Sequence, residues 1–208
     1  MSAFSRYAVF AIVAVLAAGL GILVGRCSMT AQPPEQALLL ESPRALPAFS
    51  LVDHHGKLFD PERLNGHWTF MFFGFTHCPD VCPATLFTLG QVKGQLGDLP
   101  QQQRPAVIMV SVDPNRDTPE KLANYVPYFD PGFVGVTGEM PQIMSLTQAM
   151  GVAFTYTPIA NDANGYAVDH TASIFLVDPA GRLAAIFGTP HEADRIARDF
   201  RRIMETRK

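Results

Sequence analysis

Cys78 and Cys82, separated by Pro79-Asp80-Val81, follow closely on the apolar run Trp68 to Phe73. On a helix, side chains at i and i+4 share a face with Cβ atoms roughly 5–6 Å apart. That is close enough for both sulfurs to hold one small ion, and a modest adjustment would instead let them close into a disulfide. The pair alone therefore supports either metal ligation or thiol exchange. Thiolates are soft donors suited to Cu(I), whereas an imidazole accommodates both copper oxidation states and also zinc. A third ligand would have to come from elsewhere in the fold, and six histidines are available.

His170 is the candidate third ligand. Asp169-His170-Thr171 immediately precedes the apolar segment Ala172 to Val177, so the imidazole sits at a strand end that can face the cysteine loop across a sheet. The competing reading is a histidine that caps a strand end without ligating anything. Asp169 is either a partner behind the ring or a solvated loop carboxylate. His77 adjoins Cys78 and could lower a cysteine pKa when protonated, but its ring is expected to point elsewhere because Cys78 itself faces the site. His54 and His55 fall in a turn and are expected at the surface, while His67 and His191 sit at element boundaries where capping roles suffice. Met71 and Met109 lie inside predicted strands and Met140, Met144 and Met150 share a helical segment, so core packing is expected of them.

The elements that must position these residues read as alternating strands and helices. Trp68 to Phe73 and Ala106 to Val112 are apolar almost throughout, the pattern of strands buried on both faces. Between them Leu86, Leu89, Val92 and Leu96 form a helical stripe. Thr118-Pro119-Glu120 starts another helix, with Thr as cap and Pro in the first turn. Phe133 to Val136 and Met140 to Met150 repeat the alternation. Asp53-His54-His55-Gly56 marks a hairpin between Phe49–Val52 and Lys57–Phe59. Asp178-Pro179-Ala180-Gly181 turns between the strands Ala172–Val177 and Leu183–Phe187, and a last helix starts near Glu192. The expected class is α/β, a mixed sheet flanked by helices, with the cysteines at the carboxyl end of a strand, where such sheets place their sites.

The chain has 208 residues with 16 basic and 19 acidic side chains and a formal charge of −3. That leaves room for one domain with appendages and shows none of the basic footprint of a nucleic-acid binder. The cluster Arg195, Arg198, Arg201, Arg202, Arg207 and Lys208 is expected on the solvated face and C-terminal end of the last helix. Tyr7 to Gly25 carries no charge and is flanked by Arg6 and Arg26. Its length approaches the ~20 residues that span a bilayer and exceeds the about 7–15 apolar residues of a cleaved signal. Residues 1–27 are therefore expected to be a short tail and a transmembrane anchor, with the tail in the cytosol and the remainder exported to an oxidising compartment. Cys27 is read as a plain thiol near the membrane surface, because Arg26 is too large and charged for the position preceding a lipidated cysteine. Residues 28–46, rich in proline, read as a stiff tether, and 47–208 as the folded domain. Three cysteines are too few for a disulfide scaffold, and two of them share one motif, which favours a ligand or reactive role.

Three blocks, Phe72-Phe73-Gly74-Phe75-Thr76-His77-Cys78-Pro79-Asp80-Val81-Cys82-Pro83, then Ser111-Val112-Asp113-Pro114 with Asp117-Thr118-Pro119, then Asp169-His170-Thr171-Ala172-Ser173, together resemble the Sco/SenC family over roughly residues 47–200. The resemblance implies a membrane-tethered, thioredoxin-fold copper protein whose ligands are Cys78, Cys82 and His170, binding Cu(I) with Cu(II) also open. Its implied task is to deliver copper to, or reduce the cysteines of, the CuA centre of cytochrome c oxidase. The implied partners are the CuA-bearing subunit and a periplasmic copper chaperone or thiol reductant. With the anchor, this places the protein in a bacterial inner membrane with its domain in the periplasm. The principal alternative is a thiol-disulfide reductase in which Cys78 and Cys82 are catalytic and no metal is physiological. Against it, the thioredoxin spacing Cys-x-x-Cys is absent and no proline directly precedes Ala172. A thiol peroxidase would carry Thr-x-x-Cys, but Thr76 lies only two residues before Cys78.

Overall fold

The computed structural model describes residues 33–159 and 165–207. The expected anchor lies outside the described residues, and no described helix is long and apolar enough to cross a membrane. At the centre is β4 (Thr69–Gly74), buried at every position as its composition requires. It pairs in parallel with β5 (Ala106–Ser111), which pairs in parallel with β6 (Phe133–Thr137). The connections are α1 (Val81–Gln95) and α2 (Pro119–Tyr125), and α3 (Met140–Met150) follows β6. Thr118 caps α2 by accepting the N–H of Lys121 at 3.3 Å, as its position before Pro119 predicts.

On the other flank of β4 lie β9 (Ile174–Val177) and then β10 (Arg182–Phe187), both antiparallel. The short strands β2 (Leu51–Asp53) and β3 (Leu58–Phe59) complete the edge beyond β6. The final helix, α4 (Ala193–Thr206), packs beside α1 and sends Phe200 against Trp68 and Phe70, with ring centroids 5.9 and 5.5 Å apart. Phe70, Phe72, Phe73, Phe175, Phe187 and Phe200 are fully buried. Each such side chain contributes on the order of 1.5–3 kcal/mol by leaving water, so β4 is a rigid platform for the loop that follows it.

Four expectations are corrected. The stretch assigned to a tether contains β1 (Ala37–Ala45), which pairs with β10 at the edge of the main sheet. The Leu38-Leu39-Leu40 run allows this, and Asp199 of α4 secures it by accepting the N–H groups of Glu35, Gln36 and Ala37 at 2.7–2.9 Å. Arg198 and Arg202, expected merely to decorate α4, both pair with Glu35. His54 is buried rather than exposed, because its Nδ1 accepts the N–H of Gly135 at 2.8 Å, and burial pulls its pKa down. Met71, Met109 and Met150 are core residues, but Met144 faces outward and is 45% exposed.

One element was not foreseen. β7 (Phe154–Pro158) and β8 (Tyr166–His170) form a two-stranded antiparallel ribbon that shares no backbone ladder with the main sheet. His170 ends this ribbon instead of opening β9, which starts only at Ile174.

Removal of β1 exposes the edge of β10 and strips Asp199, which is fully buried, of its three backbone donors. A domain begun at Pro47 should therefore be less stable than one begun at Pro33 by on the order of 3 kcal/mol. Urea unfolding of the two fragments measures this, and coincident midpoints would mean that β1 is dispensable.

Candidate metal centre

The loop after β4 turns at Phe75, where Cys78 N–H donates to the Phe75 carbonyl at 3.3 Å. α1 begins at Val81, so Cys82 lies in its first turn while Cys78 lies one turn before it. The two are thus related by near-helical spacing without sharing a helix. Cys82 N–H points at the Cys78 sulfur at 3.4 Å, occupying the place of an N-cap acceptor where Asp80 makes no capping bond. A sulfur at a helix N-terminus meets the positive end of the helix dipole, which favours negative charge there.

Gly74 explains how the second sulfur reaches the strand. A Cβ at this position would lie 2.9 Å from the Cys82 sulfur and 2.7 Å from the ring of Phe72, so only a residue without a side chain leaves space for the thiol. Cys82 is fully buried. Burial drives its thiol pKa far above the usual cysteine range, since a thiolate there would lack solvation. Without a bound cation, Cys82 is a neutral S–H.

His170 completes the group. Its Nε2 lies 3.3 Å from the Cys82 sulfur, and its Nδ1 lies 3.0 Å from the carbonyl oxygen of Thr171. A carbonyl can only accept, so the proton resides on Nδ1 and Nε2 turns its lone pair toward the sulfur. The rings of Phe72 and Phe75 stand edge-on to the imidazole at 5.9 and 5.8 Å. Burial lowers the His170 pKa and holds the ring neutral. The donor atoms of Cys78, Cys82 and His170 all lie within 4.8 Å of one another. No disulfide joins the cysteines. Cys82 is buried, but Cys78 and His170 are only partly so, which leaves one side of the group open to a partner.

Two soft sulfurs with one neutral imidazole are a donor set that fits copper, Cu(I) in particular. Among the described residues this is the only such cluster of histidine, cysteine or carboxylate side chains. His77 does not enter it; its ring lies beside Lys121, with Nζ to Nε2 at 3.1 Å. His67 and His191 each hold a backbone carbonyl, of Asn65 and Ala172 respectively. Asp169 faces Thr155 across the ribbon and is exposed, not behind the His170 ring.

Ser111 to Pro114 and Asp117 to Pro119 stand out in the sequence only by resemblance, with no task attached. The structure shows that Asp117, fully buried, accepts from the backbone N–H of Thr76 at 2.9 Å and from its hydroxyl at 2.6 Å. It also accepts from the Ser111 hydroxyl at 2.6 Å. A buried carboxylate with these donors clamps the cysteine loop to the end of β5. The hint in the sequence was an acidic residue between an apolar strand and a helix cap, where nothing requires buried charge.

The mixed sheet, the flanking helices and a thiol pair at the end of a central strand define a thioredoxin-like protein carrying a sulfur-rich metal site. The sequence pattern described as SCO1/SenC matches residues 39–205, and the chain belongs to that family. It is 36% identical over 156 residues to the human mitochondrial protein SCO2 homolog, covering 75% of this chain and 58% of that protein. The copper-bound structure of ScoI from Bradyrhizobium japonicum superimposes with a TM-score of 0.68 at 35% identity, covering 76% of this chain and 99% of that one. BsSco, described as having a disulfide switch and as a member of the Sco family of cytochrome c oxidase assembly proteins, shares the fold at 22% identity and a TM-score of 0.61, over 81% and 99% of the two chains. The donor set of Cys78, Cys82 and His170 in this chain is one that fits copper.

Gly74→Ala should overpack the contact with Cys82 while leaving the sheet intact. An overpacking cost of about 1–3 kcal/mol borne by the site corresponds to a fall in Cu(I) affinity of about tenfold or more. Competition against a Cu(I) chelator measures it, and undiminished affinity would show that Gly74 makes no room that matters.

Proposed function

We propose that this protein is a membrane-anchored copper carrier whose ligands are Cys78, Cys82 and His170, and that it supplies copper to the CuA centre of cytochrome c oxidase. The observation that carries this reading is the convergence of two sulfurs and one imidazole nitrogen within 4.8 Å, with no fourth such donor among the described residues. A closed four-ligand site favours retention, as structural zinc sites do. A three-ligand site open on the Cys78 side leaves a coordination position through which an acceptor's donor atom can enter before the carrier's own ligands leave.

The chemistry of loading follows from the protonation states. Cys82 is a neutral thiol in its buried pocket, so binding copper displaces its proton, and the cation then supplies the charge compensation that burial denies. His170 already presents a free lone pair and needs no deprotonation. Copper can pass to the acceptor by stepwise exchange, with the more accessible Cys78 and His170 released before the buried Cys82. The apolar segment from Tyr7 to Gly25 would hold the domain at a membrane surface, in the periplasm of a bacterial cell, raising the effective concentration at a membrane-bound acceptor.

A second task suits the same sulfurs. Both are free thiols close to one another, so two thiols can become one disulfide while passing two electrons and two protons to a disulfide of the acceptor subunit. Reduction and copper delivery then exclude one another in time, because a disulfide holds Cu(I) poorly. The assembly role attached to the family is consistent with both tasks.

In chelator competition with the reduced full-length protein, Cys78→Ser or Cys82→Ser should abolish tight Cu(I) binding and His170→Ala should weaken it. Unchanged affinity in all three variants would exclude this site. Failure of the reduced wild-type protein to take up Cu(I), with disulfide reduction intact, would favour the reductase.

A further inference from the structure

His170 poses a mechanical problem that the copper-carrier reading does not answer. The cysteines are held by the main sheet, through β4, α1 and the Asp117 clamp. The imidazole rides on the β7–β8 ribbon, which has no ladder to that sheet. The short run Thr171–Ser173 ties His170 to β9, where Ile174 pairs with Phe72 of β4, but no ladder holds the rest of the ribbon against the sheet. Side chains must do so.

The ties are present and converge on the end of β5. The Tyr166 hydroxyl, at the start of β8, donates to Asp113 Oδ1 at 2.6 Å. Arg116 pairs with the other oxygen of the same carboxylate, donates from Nη1 to the Tyr166 carbonyl at 3.1 Å, and lies over the Tyr166 ring at 3.9 Å from its centroid. The Tyr156 hydroxyl, from β7, donates to the Val112 carbonyl. Tyr156 and Tyr166 also meet edge to face at 5.3 Å. Asp113 is fully buried, where a carboxylate is tolerated only if its oxygens are satisfied. Its N–H in turn bonds the Ser111 hydroxyl at 3.0 Å, and that hydroxyl donates to Asp117. One continuous polar chain thus links Thr76 in the cysteine loop, through Asp117, Ser111 and Asp113, to Tyr166 on the strand that ends in His170.

We infer that Tyr166 and Arg116, anchored on Asp113, are positioning residues that set the placement of His170 against the sulfur pair, and so determine how strongly the site holds Cu(II) relative to Cu(I). Thiolates are the donors that Cu(I) prefers, so the two cysteines carry most of its affinity and the imidazole adds the smaller part. Cu(II) needs the imidazole. Loosening the ribbon therefore weakens Cu(II) binding selectively and leaves Cu(I) binding largely to the cysteines. This rests on His170 being a ligand, as proposed above.

The test uses the full-length protein in detergent, reduced and loaded with either ion, comparing Tyr166→Phe, Arg116→Met and Arg116→Lys with His170→Ala and wild type. The ties made by Tyr166 and Arg116 are hydrogen bonds that involve a charged group, and such bonds correspond to about tenfold or more in affinity. Tyr166→Phe and Arg116→Met should lose about that much Cu(II) affinity, with Cu(I) affinity changed less than about threefold. Their Cu(II) EPR spectra should lose nitrogen coupling toward the His170→Ala spectrum, and Arg116→Lys, which keeps the charge but not the fork, should fall between. Wild-type Cu(II) affinity and EPR in Tyr166→Phe and Arg116→Met, alongside a changed His170→Ala, would overturn the positioning role and leave the ligand set standing. An unchanged His170→Ala would overturn both. Equal loss of both ions in folded Tyr166→Phe and Arg116→Met would also overturn it, since that is collapse of the site as a whole. Should Tyr166→Phe not fold, Tyr156→Phe, which removes the companion tie, is judged by the same readouts.

Discussion

The site depends on one contact between two parts of the chain that are far apart in sequence: the Nε2 atom of His170 against the sulfur of Cys82, 3.3 Å apart across 88 positions. For that contact to exist, a neutral imidazole must be delivered, lone pair first, to a thiol at the bottom of an apolar pocket. Each condition has a local cause. The Thr171 carbonyl takes the Nδ1 proton, burial keeps the ring uncharged, and the missing side chain at Gly74 leaves space for the sulfur. Cys82 and His170 form a hydrogen-bonded S–H and nitrogen pair beside a second sulfur, and proton loss from the thiol turns the three into a ligand set.

The two halves of that contact are supported by different physics. The sulfur side stands on apolar packing, with β4 buried on both faces among aromatic rings, which leaves little freedom of position because interiors pack as densely as crystals. The imidazole side stands on buried polar bonds, each directional and each expensive to leave unmade. A rigid thiol platform with a separately supported third ligand suits a carrier, because a ligand that can be repositioned without disturbing the core gives a route for release.

Much of this was legible in the residues. The continuous apolar runs gave β4 and β5, the Leu86-Leu89-Val92 stripe gave α1, and Thr118 with Pro119 gave the start of α2. Cys78 and Cys82 stood out by type and spacing, whereas His170 as their partner owed much to resemblance, since a histidine before an apolar strand is equally a cap. What could not be read shares a common cause. β1 looked like a tether because prolines and exposed positions dominate an edge strand, and its pairing depends on Asp199 more than 150 positions away. The strands of the β7–β8 ribbon alternate between partly buried and exposed positions, but they are five residues each and only Val168 is buried, so the pattern is too short and too shallow to stand out from a loop. His54 was misplaced because a turn histidine is ordinarily solvated, and only the fold shows the Gly135 N–H that it accepts.

X-ray absorption at the copper edge of the reduced, Cu(I)-loaded full-length protein tests the central claim most directly. The expected result is a three-coordinate ion with two sulfur neighbours and one imidazole, the imidazole signal disappearing in His170→Ala while both sulfurs remain. A first shell made of nitrogen and oxygen, or one with no imidazole in the wild-type protein, would contradict it.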